Sequence, residues 1–242
     1  NDVELFFGSI LDESSLREAM RGCDAVIHLA AYLGVRRTEL NSLRCLDINI
    51  NGTKKVLDAC VNSGIKKIVF ASSSEVYGEP LENPITEKNI TQGKTVYAVS
   101  KLAGEEMIKA YSSEFDTIEY TTLRYFNTYG PYQIAQFVIP KFIYSVMNDK
   151  PPIIYGAGNQ RRSYCFSEDT ARGTVDALLS SNANNEIINI GNSHSLISLT
   201  ELAKLIINTC GKKNNLDFVI KNNFKNADRD ESREIYDRYC ST

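Results

Sequence analysis

Metal-ligating side chains are scarce in this chain. It holds two histidines, His28 and His194, and six scattered cysteines (Cys23, Cys45, Cys60, Cys165, Cys210, Cys240) with no C-x-x-C pair. That spacing argues against a zinc site. Thiols dispersed in apolar runs read as reduced core residues of a cytoplasmic protein. No apolar run approaches the ~20 residues that a membrane span needs, and no secretory signal opens the sequence. Surplus positive charge is absent too, with 27 Lys and Arg against 30 Asp and Glu and a net charge of -3. Such a balance offers no field to nucleic acid or to an anionic membrane. A phosphate-bearing ligand must therefore be caught by a few placed groups.

What is present suits one or two domains with a sizeable core: 242 residues, 43% hydrophobic and 24% charged. Through the first 130 or so residues, strand-like runs alternate with helical patterns. "VELFFGSI" reads as a strand, "DESSLREAM" as a helix start and "CDAVIHLAA" as a strand buried on both faces. "NINGTKKVLDACVNSG" has helical spacing and ends at Gly64, a C-cap. "IKKIVFASSSEVYG" is a second buried strand. "TVYAVSKLAGEEMIKAYSSEF" is a long helix with Ala103, Met107 and Tyr111 on one face, and "EYTTLRYFNTYGP" is a strand breaking at Gly130-Pro131. This alternation predicts an α/β fold with right-handed crossovers on a parallel sheet.

Beyond residue 131 the rhythm changes. "FVIPKFIYSVMNDK" reads as a helix, "PPIIYG" as a short extended piece and "SEDTARGTVDALLSS" as a helix. "EIINIG" is a strand, and "SLTELAKLIINTCG" is an amphipathic helix with Ser198 as N-cap. The tail from Asn222 is polar and poorly periodic.

In open parallel sheets, ligands bind outside the carboxyl ends of the strands. Three strands here end in small or polar clusters: His28 to Ala31, Ser72 to Glu75, and Asn127 to Gly130. Beside them lies "TVYAVSK", with Tyr97 and Lys101 one helical turn apart. An isolated Tyr-x-x-x-Lys is ordinarily a solvated surface pair; one placed at convergent strand ends suits chemistry. A phenol of pKa near 10 becomes a base at neutral pH only after a shift of roughly 3 units, about 4 kcal/mol. One neighbouring cation supplies about 1–3 units, so Lys101 alone is marginal. An oxidised nicotinamide ring would add the second positive charge. The pair therefore makes most sense with that cofactor, Tyr97 taking a hydroxyl proton while Ser73 orients the hydroxyl.

Six motifs, "SSSEVYG", "YAVSK", "HLAA", "NINGT", "LRYFNTYGP" and "IYGAGNQRRSY", together resemble the extended short-chain dehydrogenase/reductase family. Within it they are most similar to the NAD-dependent nucleotide-sugar epimerases and dehydratases. The resemblance implies a Rossmann-like, doubly wound parallel sheet with a smaller mixed α/β substrate-binding region. Residues 1–131, a helix over 167–181 and a strand over 186–191 would form the dinucleotide-binding domain; 132–166 and 192–242 would form the smaller region. It implies catalytic Ser73, Tyr97 and Lys101, with Lys101 also holding the nicotinamide ribose of NAD. Ser9, Ile10, Leu29, Ala30, Ala31, Ala71, Ser72 and Tyr125 fall at cofactor positions, and Asn49 at a position that supports the site.

Asn127, Phe137, Val138, Ile154, Tyr155 and Arg162 match residues that contact the nucleotide-diphosphate sugar, with Arg229 as a second phosphate contact. Neighbouring Arg161 reads as a plain surface charge. A homodimer through the Tyr/Lys helix and the helix before it is also implied.

Three departures qualify this. No G-x-x-G-x-x-G occurs in residues 1–20, so roughly one β-α-β unit of the family, on the order of 60 residues, is expected to precede Asn1. Ser9 stands where relatives often carry an acid that holds adenine. Ser74 replaces the acid of the Asp-Glu pair usual in 4,6-dehydratases, while Glu75 is kept. The first reading is therefore a 4-epimerase, which needs no second base. A 4,6-dehydratase or decarboxylase using Glu75, and a non-catalytic dinucleotide-binding module, remain as alternatives.

Overall fold

The computed structural model describes residues 3–213, 216–222 and 237–240. The first half of the chain carries α1 (Glu13–Ala19), β1 (Ala25–His28), α2 (Val35–Leu40), α3 (Ser42–Leu46), α4 (Gly52–Ser63), β2 (Lys67–Ser73), α5 (Val96–Glu114) and β3 (Glu119–Tyr125). There follow β4 (Thr128–Tyr129), α6 (Val138–Met147), β5 (Ile153–Tyr155), β6 (Arg161–Ser163), β7 (Cys165–Phe166) and α7 (Ser167–Leu179). The remainder is β8 (Glu186–Ile190), β9 (Leu196–Ser198), α8 (Leu199–Thr209), β10 (Val219–Lys221) and β11 (Asp237–Arg238). These elements gather into two compact units, one of Asn1–Gly78, Thr91–Tyr125 and Ala171–Asn189, the other of Glu79–Ile90, Phe126–Thr170 and Ile190–Thr242.

The first unit is built on a sheet of order β1-β2-β3-β8. β1 runs parallel to β2 from Ala25↔Lys67 to His28↔Phe70, and β2 runs parallel to β3 from Lys67↔Glu119 to Ser73↔Tyr125. The central strand reads KIVFASS, and every residue from Lys67 to Ser72 is buried. A strand buried along its length in this way needs cover on both faces. One cover is the cluster of Val56, Leu57 and Cys60 from α4 and Ile108 from α5, packed with Ile68 and Phe70. Local chemistry sets the helix ends. Thr95 accepts the amide of Ala98 through its Oγ1 at 3.1 Å and starts α5. Gly64, at φ 71°, closes α4 in the left-handed region that glycine enters without strain.

Two expectations are corrected. Residues 3–9 form no strand, and Val3, Leu5 and Phe7 are 77%, 76% and 94% exposed. A β-prone run pairs only where a neighbouring strand offers its edge, and none flanks this segment among the described residues. The strand expected to reach Gly130 stops at Tyr125: Asn127 turns the chain at φ 33°, and Thr128–Tyr129 then pairs with β7.

The second unit has its own core, in which Phe142 and Val146 of α6 pack with Ile154 and with Leu202, Ala203 and Ile206 of α8. Ser198 caps α8 in a capping box with Glu201. Short strands complete the unit in the orders β10-β5, β11-β6-β9 and β4-β7. Among the described residues no helix is long and apolar enough to cross a membrane.

α5 approaches β2 closely because residue 104 is glycine. A Cβ there would lie 2.5 Å from Cζ of Phe70, a ring that is itself 1% exposed. Gly104→Ala would gain about 1 kcal/mol of helix propensity and lose about 1–3 kcal/mol to overpacking. Denaturant unfolding is expected to show a net loss of about 1 kcal/mol.

Candidate active site

β2 ends where its backbone turns. Ser73 Oγ accepts the amide of Glu75 at 3.2 Å and caps the short 3-10 turn Ser74–Tyr77, which stops at Gly78. On the other side of the site α5 begins, its Val96 amide donating to Glu39 Oε1 at 3.3 Å. Tyr97 lies in the first turn of α5 and Lys101 one turn later. Ala71, Ser73, Glu75, Tyr97 and Lys101 are thus brought together within the first unit.

Lys101 is 3% exposed. Its Nζ donates to the Ala71 carbonyl at 2.6 Å and stands 4.9 Å from the ring centre of Phe70 and 5.8 Å from that of Tyr97. Burial pulls its pKa down to about 8, with Cys45 and Glu105 opposing the shift. The phenol of Tyr97 moves the other way. Burial raises its pKa most, the charge of Glu75 adds to this, and a side-chain hydrogen bond with Ser73 pulls against both. Lys101 Nζ thus sits on a carbonyl with the tyrosine ring nearby, and burial holds the phenol toward its neutral form.

Behind the pair sits a set of buried polar supports. Asn49 accepts the Tyr32 amide at 2.7 Å through Oδ1, and its Nδ2 donates to the Tyr32 carbonyl and, at 2.9 Å, to Ser100 Oγ. It thus ties the chain after β1 to α5 beside Tyr97. His28 bonds Thr53 Oγ1 through Nε2 at 3.0 Å, and burial first, then the charge of Lys101, pulls its pKa down to about 3. It is a neutral core histidine.

The remaining candidates fall as follows. Ser9 and Ile10 precede α1: Ser9 Oγ accepts the Leu11 amide, and Ile10 packs on Gly52 of α4. Leu29 and Ala30 are exposed at the carboxyl end of β1, Ala31 is half-buried, and Ser72 is buried against Glu105. Tyr125 shares a 2.7 Å hydrogen bond with Thr174 Oγ1.

In the second unit, Asn127 Nδ2 donates to the Ser163 carbonyl at 3.0 Å, next to Arg162. Arg162 is 8% exposed, whereas Arg161 forms a half-exposed ion pair with Asp237 at 2.6 Å. Phe137 and Val138 are half-buried at the start of α6. Ile154 departs from expectation: at 1% exposure its side chain belongs to the second core, and Tyr155 is the member of that pair left open. Arg229 lies outside the described residues.

Three buried charges escaped the sequence reading. Arg238 pairs in register with Arg162 on the adjacent strand and is 4% exposed; the polar tail around it carries no period to flag it. Glu105 and Arg124 form a buried ion pair at 2.6 Å. The position of Glu105 four residues after Lys101 was the available signal.

A parallel sheet with a Tyr-x-x-x-Lys helix beside its strand ends is the architecture of the extended short-chain dehydrogenase/reductases. More narrowly, the chain belongs to the NAD dependent epimerase/dehydratase family, which it matches over residues 1–191. It is 40% identical over 192 residues to a putative UDP-glucose 4-epimerase of Methanocaldococcus jannaschii, covering 78% of this chain and 61% of that one. It is 35% identical over 204 residues to a UDP-N-acetyl-alpha-D-glucosaminuronate decarboxylase of Bacillus cytotoxicus, covering 81% and 62%. The crystal structure of a Bacillus cereus UDP-glucuronic acid 4-epimerase, holding UDP-glucuronic acid and NAD, superimposes with a TM-score of 0.84 at 30% identity, covering 97% of this chain and 71% of that one. Nucleotide-sugar 4-epimerases, 4,6-dehydratases and decarboxylases all occur among its relatives, and the chain spans between 50% and 62% of the length of the first three curated ones.

The buried neutral His28 links stability to pH. Between pH 6.5 and about 3 the unfolded chain binds a proton at this residue that the folded chain refuses. Stability therefore falls as pH drops through that window, by at most about 5 kcal/mol from this group. Denaturation followed from pH 6.5 to 4 is expected to show this slope, flattened in His28→Gln.

Proposed function

We propose that this protein is an NAD-dependent nucleotide-sugar 4-epimerase acting by transient oxidation at carbon 4 of the sugar. The carrying observation is the convergence of the Tyr97 phenol, the Ser73 hydroxyl and the buried Lys101 ammonium at the carboxyl end of β2.

The residues present suit NAD. An ammonium has three N–H donors, and the Ala71 carbonyl takes one from Lys101; ribose hydroxyls are natural acceptors for others. At the end of β1, Leu29 and Ala30 leave an exposed backbone with modest side chains. These, with Ala31, Ala71, Ser72, Tyr125, Ser9 and Ile10, would hold the dinucleotide. The chemistry that bound NAD supplies is reversible uptake of a hydride from carbon 4, together with a positive charge.

The protein's own part is proton management. Tyr97 takes the proton of the 4-hydroxyl and later returns it, while Ser73 holds that hydroxyl in line. Because burial and Glu75 keep the free phenol neutral, Tyr97 becomes a competent base only where positive charge beyond that of Lys101 stands nearby.

In the second unit, Arg162 and Arg238 are direct neighbours across a parallel ladder. Two buried arginines at partner positions of adjacent strands would suit a diphosphate, whose paired oxygens match a planar guanidinium fork. Asn127 would contact the sugar, and Phe137, Val138 and Tyr155 the base.

Glu75 favours one second reading. Its charge acts on Tyr97, so a carboxylate is available for the proton transfers of a 4,6-dehydratase or decarboxylase. Incubating the full-length protein with UDP-, GDP- and dTDP-sugars separates the two: epimerisation changes carbon-4 stereochemistry at constant mass, whereas loss of water or carbon dioxide sinks the epimerase reading. Tyr97→Phe is expected to lower turnover by about 10²–10⁴-fold with dinucleotide affinity kept; normal turnover in that variant removes Tyr97 as the base, whereas dinucleotide binding with no turnover in the wild type leaves a non-catalytic binding module. Since the working form of Lys101 is the ammonium and its pKa is about 8, kcat/KM should decline as pH rises through about 8.

A further inference from the structure

Beneath the catalytic set lies a chain of buried polar groups that no proton step uses. The Glu105 carboxylate accepts Arg124 Nε at 3.0 Å and Nη2 at 2.6 Å, and it also accepts the Ser72 hydroxyl. Arg124 Nη1 donates to the Tyr77 hydroxyl at 2.9 Å, and Tyr77 donates to Asn189 Oδ1 at 2.7 Å. Glu105 is 1% exposed, Arg124 4%, Ser72 3% and Tyr77 0%. Removing two charges from water costs several kcal/mol per ion, and a well-packed apolar replacement is commonly as stable. Stability alone therefore does not account for the arrangement.

Its placement does. Ser72, Arg124, Tyr77 and Glu105 each stand close in sequence to a candidate site residue. Ser72 precedes Ser73. Arg124 precedes Tyr125 and is the register partner of Ser72 on the neighbouring strand. Tyr77 closes the turn that carries Glu75. Glu105 follows Lys101 by one helical turn, on the same face of α5. One carboxylate thus clamps two strand ends and, through Arg124, the turn, while its own helix supplies Tyr97 and Lys101. Its negative charge also supports the charged form of Lys101.

We propose that Glu105, with Arg124, is the positioning residue of this site, fixing Ser73, Glu75 and Lys101 relative to one another through Ser72, Tyr77 and α5. The inference rests on the catalytic reading of the Ser73–Tyr97–Lys101 set. Glu105 touches no reacting atom in this account; it acts only through the groups it holds. Misplacement of catalytic groups by about 1 Å can cost on the order of 10²-fold in rate, so the consequence should be large in kcat and small in KM.

The test compares full-length wild type, Glu105→Gln and Glu105→Gln/Arg124→Gln. It measures kcat, KM and the pH profile with the best nucleotide sugar, and Lys101 titration by NMR of side-chain-labelled lysine. Glu105→Gln should lower kcat by about 10–100-fold with KM changed less than about threefold, and should move both the Lys101 titration and the alkaline limb of kcat to lower pH. Should Glu105→Gln fail to fold, the double variant carries the test: low kcat with KM retained supports the proposal. Wild-type kcat with an unmoved alkaline limb in a folded variant overturns it, leaving the pair merely structural. If wild type itself turns over no nucleotide sugar, the functional reading fails separately. The crystal structure of whichever variant folds then decides: displacement of Ser73, Glu75 or Lys101 supports the positioning role, and their unchanged placement removes it.

Discussion

The close approach of α5 to β2 is the constraint on which the site depends. With no side chain at Gly104, the helix settles onto Phe70, and only at that height does the Lys101 ammonium reach the Ala71 carbonyl. A charge so placed has left water almost completely and retains a proton at neutral pH by a narrow margin. The same burial raises the pKa of the phenol beside it. One packing distance therefore sets two opposed shifts, each holding its group toward the uncharged form. A further positive charge can then tip the balance.

Much of the first unit was legible in the sequence because its signals are local. KIVFASS is apolar from Ile68 to Ala71 and buried from Lys67 to Ser72, as a strand covered on both faces should be. Gly64 and Ser198 announce helix ends by chemistry confined to a few residues. Tyr97, Lys101 and Ser73 were legible for a related reason: the order of elements brings those segments to one end of the sheet. Residues 3–9 misled because strand propensity speaks of a residue's fitness to pair and is silent about whether a partner is there. Ile154 misled because a short extended run has two faces and the sequence does not say which is inward.

The buried charges were hidden for a different reason. Glu105 and Arg124 look like ordinary members of a helix and a strand, and nothing within ten residues of either marks the other as a partner. Arg238 is harder still, since it lies in a tail without period and becomes meaningful only when β11 is laid against β6. Long-range pairing of polar groups is a property of the folded topology, and single-sequence patterns report it poorly. Where a charge is costly to bury, its burial is the informative fact.

The parallel register of β2 and β3 has a consequence for how this fold tolerates change. Ser72 stands opposite Arg124, and Ser73 opposite Tyr125. Along a strand the two faces alternate, so wiring and reactivity occupy consecutive letters of the sequence. An insertion of a single residue ahead of Ser72 would exchange the faces of Ser72 and Ser73, taking the Ser72 hydroxyl away from Glu105. The last two positions of this strand therefore depend on an exact residue count.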